Sequence, residues 1–342
     1  MIAVSLTGPK QCRVIETDRP EPDGRHVIIE VSACGICGSD LHFWKHGSGM
    51  DRKPGLIMGH EFCGRVYDAG CRDDLSPGDR VTVIPINPCG HCDYCEKGWH
   101  NLCREGHARP LPGLNSPGGY AGYCRVRPDM VRRVPDSVSD NEAALAEPAA
   151  VALHAVHQAG VCPGDAVLVC GGGPIGHLSA IWARMAGASR VDLAEVHPFR
   201  IQFSTKNPSI SSGHDARDPQ LARALRKQAG GFDRVIEASA SDQGIHLGIS
   251  ALKPRGSIVL AGINYSPQEI PTLLCTLKEV TIRTSFGYTL DEFDSVLDHL
   301  RRRAVTVDFL VTRFVSPDQV QNTFEQMSSG EINDIKTVIH PE

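Results

Sequence analysis

The sequence predicts an α/β chain in two units: a β-rich unit over about residues 1–150, and a doubly wound parallel sheet over about 151–275. Residues from about 276 to 342 are expected to return and complete the first unit. Three observations lead to this reading. A chain of 342 residues is too long for one ordinary core, since single cores stop growing at roughly 250–300 residues. The first part is built of short Val/Ile segments broken by Gly and Pro. The middle part alternates apolar strands with helical patterns.

In the first part, His26-Val27-Ile28-Ile29-Glu30-Val31 reads as a strand, as does Asp79-Arg80-Val81-Thr82-Val83-Ile84 after the turn Ser76-Pro77-Gly78. In the middle part, Ala166-Val167-Leu168-Val169-Cys170 is followed by a helix through Trp182 and Met185. The strands Arg190–Ala194, Asp233–Glu237 and Ser257–Ala261 come later. Strand and helix in this alternation argue for a parallel sheet covered on both faces. The last part carries an amphipathic helix over Leu290–Leu300, another near Pro317–Met327, and an end strand at Thr337-Val338-Ile339.

Composition narrows the partners. With 41% hydrophobic and 22% charged residues the chain is ordinary globular material. A net charge of −5, with 35 basic and 40 acidic residues interspersed, offers neither a phosphate-backbone footprint nor a polybasic patch. Nucleic acid and membrane are therefore not expected as partners. No run approaches the ~18 apolar residues of a spanning helix. The segment Met1–Leu6 lacks a basic leader, so the expected location is the cytoplasm. Thirteen cysteines are an odd number, and four of them crowd into fifteen residues, which favours metal over a disulfide framework. Cys12, Cys71, Cys162 and Cys275 have no informative spacing and are expected to be small core residues.

That crowded set is Cys89-Gly90-His91-Cys92-Asp93-Tyr94-Cys95, with Cys103 following after seven intervening residues. Four thiolates can close around one tetrahedral Zn²⁺, leaving no position for substrate; such a site is structural. A second set differs in kind: Cys37, in Cys34-Gly35-Ile36-Cys37, is followed by Gly59-His60-Glu61. A thiolate, an imidazole and a carboxylate leave a fourth zinc position open for chemistry. Taken singly these residues also fit blander readings. His60 beside Glu61 suits a buried histidine next to a surface carboxylate, and Cys34 with Cys37 a zinc or redox pair.

The middle unit supplies context. Its first strand runs into Gly171-Gly172-Gly173-Pro174-Ile175-Gly176 and then a helix, the order a dinucleotide site needs, with pyrophosphate on the helix N-terminus. Gly171, Gly173, Pro174, Ile175 and Gly176 are the expected phosphate-side contacts. Glu195 falls nineteen residues after Gly176, at the end of the next strand, where it can accept hydrogen bonds from ribose hydroxyls and repel a 2′-phosphate. This favours NAD over NADP. Arg200 stands nearby and acts in the opposite sense.

Over nearly its whole length the sequence resembles the zinc-containing medium-chain dehydrogenases, especially the sorbitol, L-idonate, L-threonine and butanediol dehydrogenase branch. The resemblance implies a GroES-like β domain and a Rossmann domain, two zincs per chain, and Cys37, His60 and Glu61 around the catalytic one. Glu147, in Ala146-Glu147-Pro148, matches a carboxylate that either ligates this zinc or holds its water. Ser39 and His42 match a hydroxyl and an imidazole that carry the alcohol proton outward. The implied reaction is hydride transfer from a secondary alcohol to NAD, in a homodimer or homotetramer.

Departures from the branch bear on substrate. Phe286-Gly287-Tyr288 stands where sorbitol enzymes carry Phe-Arg-Tyr, and Phe43-Trp44 replaces tyrosines. Pro208 is expected to end the helix after Glu195 early. The alternatives are an L-threonine-type or other pathway-specific alcohol dehydrogenase, a zinc-free carbonyl or quinone reductase, and an inactive nucleotide-binding homologue.

Overall fold

The computed structural model describes residues 1–50, 54–331 and 333–341. The chain divides into two compact units, Met1–Glu147 with Thr289–Glu342, and Pro148–Tyr288.

In the first unit the strand Val27–Gly35 is the hub. It pairs antiparallel with Glu61–Asp68, Tyr123–Val126 and Lys336–Ile339, and the last of these runs parallel to Val311–Val315. Arg80–Val83 and Val131–Arg133 extend the sheet, and a separate three-stranded sheet joins Gln11–Glu16, Ile2–Gly8 and Leu56–Ile57. Alternating apolar residues on these strands supply the core, among them Ile29, Val31, Phe62, Val81 and Val83, with Trp44 and Phe324 joining from helices. Register matters for function: Gly35 lies opposite Glu61 on one side and Val338 on the other. A Cβ on Gly35 would lie 2.2 Å from Glu61 Oε2 and 2.7 Å from Lys336 Cε, so only glycine lets those two side chains meet there.

The second unit holds a six-stranded, wholly parallel sheet. Its spatial order is Ser212–Asp215, Arg190–Glu195, Ala166–Cys170, Phe232–Glu237, Leu252–Leu260 and Thr281–Thr284. The order reverses at Ala166–Cys170, the position at which such sheets bind ligands beyond their carboxyl ends. Leu168, Val235, Ile245, Ile249 and Ile258 pack its core. Thr281–Thr284 was expected in the returning tail but adds a sixth strand here. Parallel pairing with Leu252–Leu260 decides its place, and its fully exposed pattern carries no strand signal. As expected, the helix after Glu195 is short: Pro198–Phe203, with one further 3₁₀ turn to Lys206 before Pro208.

The spare cysteines correct one expectation. Cys12 is buried, but Cys71 and Cys162 are exposed and Cys275 is half-exposed, so three of them are not core residues. Among the described residues no helix is long and apolar enough to cross a membrane.

Candidate functional site

The helix Gly38–His46 starts directly after Cys37, whose backbone is extended, and ends at Gly47 in the left-handed region. His60 and Glu61 lead into the strand Glu61–Asp68 that pairs with Val27–Gly35. Pairing of distant segments therefore sets Cys37, His60 and Glu61 together, with one ligand atom from each within 4.8 Å of the others. His60 and Glu61 are buried and Cys37 is half-buried. Glu147, also buried, opens the helix Ala146–Ala159; its charge acts on His60, though it is outside the three-donor group.

This buried pocket is rich in acids. Burial opposes protonation of His60, but the Cys37 thiol beside it, helped by Asp40 and Glu147, wins and holds its pKa well above the ordinary value. The same excess of buried negative charge suits a dication, and sulfur, nitrogen and oxygen donors are a zinc set. The residues present thus fit a zinc ion with an open position. Ser39, in the first turn of the same helix, has its Oγ buried without a hydrogen-bond partner among the described residues, and so could receive a ligand hydroxyl. His42 is half-buried one turn further along.

Three residues of this pocket were missed in the sequence. Asp40 is fully buried; its Oδ2 accepts from the Cys37 backbone N–H at 2.9 Å and from the Tyr120 hydroxyl at 2.8 Å, and its Oδ1 lies 3.7 Å from His60 Nδ1. Burial pushes the Asp40 carboxyl up, against the pull of His60 and these two donors. Tyr120 is held by backbone bonds to the segment bearing His60: its N–H donates to the Met58 carbonyl at 2.9 Å, and Gly119 N–H to that of Gly59 at 2.7 Å. Lys336, 2% exposed, donates through Nζ to Glu61 Oε2 and, at 2.8 Å, to the Ile36 carbonyl. An Asp three residues after Cys37 is a local signal that could have been read as a helix cap; Tyr120 and Lys336 have no local signal.

The second metal candidate is the four-cysteine lobe. The sulfurs of Cys89, Cys92, Cys95 and Cys103 all lie within 4.8 Å of one another, and those of Cys89 and Cys95 are 3.9 Å apart. Tetrahedral zinc with Zn–S bonds of about 2.3 Å sets sulfurs about 3.8 Å apart, so the lobe matches a closed zinc site. The backbone N–H groups of Arg104 and Cys95 lower the Cys92 thiol to about 6, toward the thiolate a metal needs.

In the second unit, the pattern Gly171–Gly176 forms the turn between Ala166–Cys170 and the helix Pro174–Met185, with Pro174 and Ile175 half-buried in its first turn. A Cβ on Gly176 would lie 1.9 Å from the Gly171 carbonyl oxygen, so this helix can pack on the turn only with glycine there. A cavity of about 350 Å³ is lined by Gly171, Gly173, Glu195, Arg200, Ser239 and Gln243, among others. Glu195 accepts backbone N–H bonds from Gly172 at 2.7 Å, Val196 at 2.5 Å and His197 at 2.9 Å, which anchor its carboxylate at the strand end. Ser239 and Gln243 were not singled out in the sequence, because they come from the loop and helix after a different strand.

Residues 23–136 match the model of the alcohol dehydrogenase GroES-like domain, and residues 174–302 that of the zinc-binding dehydrogenases. The chain is 32% identical over 333 residues to a D-xylulose reductase A of Aspergillus oryzae, spanning 94% of this chain and 92% of that one. It also resembles the solved structure of 2R,3R-butanediol dehydrogenase from Bacillus subtilis: TM-score 0.87, 28% identity, 100% of this chain and 99% of the other covered. A zinc-binding dehydrogenase of Sinorhizobium meliloti bound to NADP superposes with TM-score 0.90 at 28% identity, covering 99% of both chains. The chain belongs to the zinc-binding alcohol dehydrogenase family, and joins a GroES-like domain to a Rossmann domain. Within that family it falls in the polyol dehydrogenase branch, as an oxidoreductase that works with zinc and a nicotinamide cofactor.

Proposed function

We propose that this enzyme oxidises a secondary alcohol of a polyol, sugar-derived alcohol or vicinal diol with NAD. The observation that carries the reading is the mixed donor group of Cys37, His60 and Glu61, set in a pocket of buried acids. Cys37, His60 and a carboxylate, Glu61 or Glu147, would hold the catalytic zinc; Cys89, Cys92, Cys95 and Cys103 would hold the structural one. When bound, zinc supplies Lewis acidity toward the substrate hydroxyl and the nicotinamide accepts the hydride.

The chain's own residues do the rest. Ser39 Oγ accepts the hydroxyl proton as it gives up its own, and His42 passes that proton outward, since a proton released in a dry pocket needs a path. Asp40 faces His60 Nδ1 as a charged neighbour at 3.7 Å, and Tyr120 steadies Asp40. Glu195 accepts hydrogen bonds from ribose hydroxyls and disfavours a 2′-phosphate, which supports NAD; Arg200 in the same cavity weakens that preference. Gly287 in place of the arginine that the sorbitol branch carries favours a substrate with fewer hydroxyls than sorbitol.

A cytoplasmic location is supported by thirteen free cysteines, which suit a reducing compartment. A homodimer or homotetramer is supported by the sheet edge Thr281–Thr284, which among the described residues pairs on one side only, and by Leu273 and Leu277 on the preceding helix, 73% and 74% exposed.

The test is an NAD(P)-coupled absorbance screen of zinc-loaded protein against polyols, sugar acids, cyclitols, vicinal diols and L-threonine, with zinc content measured on the same sample. Turnover of polyols or diols with NAD, lost on chelation, is the expected result. Turnover that survives removal of zinc would refute the mechanism.

A further inference from the structure

Ser39, His42 and His46 fall three and four residues apart on the helix Gly38–His46 and so share one face. The rings of His42 and His46 are 4.4 Å apart between centroids, with their planes at 49°. His46 is exposed and His42 half-buried, so the pair meets solvent at the outer end of the stripe that begins at Ser39. Two histidines at this spacing on one helix face are the arrangement by which helices chelate a zinc-like ion. Two imidazole nitrogens fill half of a tetrahedral shell and water completes it. The ion would sit in the last turn of the helix, where the partial negative charge of the carbonyl end favours a cation. Lys45 opposes a cation, but it is off the stripe that His42 and His46 share. Burial of His42, with the charges of His46 and Lys45, holds its imidazole below its ordinary pKa.

We propose that His42 and His46 form an accessory site for a borderline divalent ion such as Zn²⁺, separate from both cysteine-containing centres, and that its occupation inhibits turnover by removing His42 from proton transfer. The inhibition rests on the role given to His42 under Proposed function; the binding does not. An enzyme that needs zinc would then be slowed by excess of the same ion.

The experiment is a calorimetric titration of the two-zinc holoenzyme with ZnCl₂, with initial rates measured at each point. The wild-type enzyme is expected to take up a third ion and lose activity as it does. His46→Gln should lose the third ion and the inhibition while keeping the wild-type rate without added zinc, because His46 is exposed and outside the reaction. His42→Gln should lose the third ion as well. Absence of a third ion in the wild-type enzyme, or its retention in either variant, overturns the site. A third ion that both variants lose but that leaves turnover untouched upholds the site and overturns the relay role of His42.

Discussion

The Tyr120 hydroxyl donates to Asp40 Oδ2 at 2.8 Å, with both side chains fully buried. Through that contact a residue far along the chain bears on the metal group: the same carboxylate oxygen accepts from the Cys37 backbone, and the other one faces His60 Nδ1. Partners behind a ligating histidine fix its orientation, and losing one typically lowers metal affinity about 10–100-fold. Tyr120→Phe removes one hydroxyl and keeps the ring. It should let a chelator strip the catalytic zinc about tenfold more readily, with the four-cysteine zinc unaffected. Zinc release timed with a colorimetric chelator measures this, and identical release from both proteins would disprove the link.

Lys336 and Glu61 form an ion pair with 2% and 1% of their side chains exposed. Removing one partner of such a pair costs about 3–5 kcal/mol, because the other charge is left buried and alone. For Lys336→Met the stranded charge is Glu61, which a bound zinc can neutralise. The loss of stability should therefore be several kcal/mol in the zinc-free protein and clearly smaller in the loaded one. Urea unfolding in chelator and in zinc compares the two, and equal losses would show that Glu61 does not face the metal.

His177 is fully buried in the helix Pro174–Met185; Asn207 approaches its Nδ1 at 3.3 Å, and its Nε2 has no hydrogen-bond partner among the described residues. Burial, with the charge of Arg200 adding, lowers its pKa from 6.5 to about 4. A histidine whose folded pKa lies below its unfolded value binds fewer protons when folded. Stability therefore falls as pH drops from about 6.5 toward 4, by about 3 kcal/mol over the window, and is unaffected above it. His177→Leu should lose less stability than the wild-type protein between pH 7 and 5. Urea midpoints at the two pH values provide the check, and parallel losses in both proteins would refute it.

The role proposed for Glu195 at the ribose predicts a split between the two nicotinamide cofactors. Hydrogen bonds to a charged group are worth about 1.5–3 kcal/mol, so Glu195→Ala should raise KM for NAD by about tenfold or more while KM for NADP falls or holds. Initial rates with both cofactors decide this. A proportional rise in both would mean that Glu195 shapes the turn rather than reads the ribose.

Much of this molecule is legible in short stretches of sequence. The four cysteines and the glycine turn work through local geometry, since closing around one ion or bending a strand into a helix needs residues a few positions apart. Ser39 and His42 share a helix face with no help from the rest of the chain. The strands Ala166–Cys170, Arg190–Glu195 and Phe232–Glu237 announce themselves as apolar runs, whereas Thr281–Thr284, exposed throughout, does not.

By itself, then, the sequence pointed to the two-unit α/β architecture, the two clusters of candidate metal donors and the glycine turn. Only the tertiary structure decided what surrounds those donors: Lys336 reaches Glu61 across 275 positions, and Tyr120 reaches Asp40 across 80. The reason is physical. Cross-strand register sets the first contact, with Gly35 leaving room between Glu61 and Lys336, and backbone bonds from Gly119 and Tyr120 to Gly59 and Met58 set the second; the burial that makes such charges consequential exists only once these segments have paired.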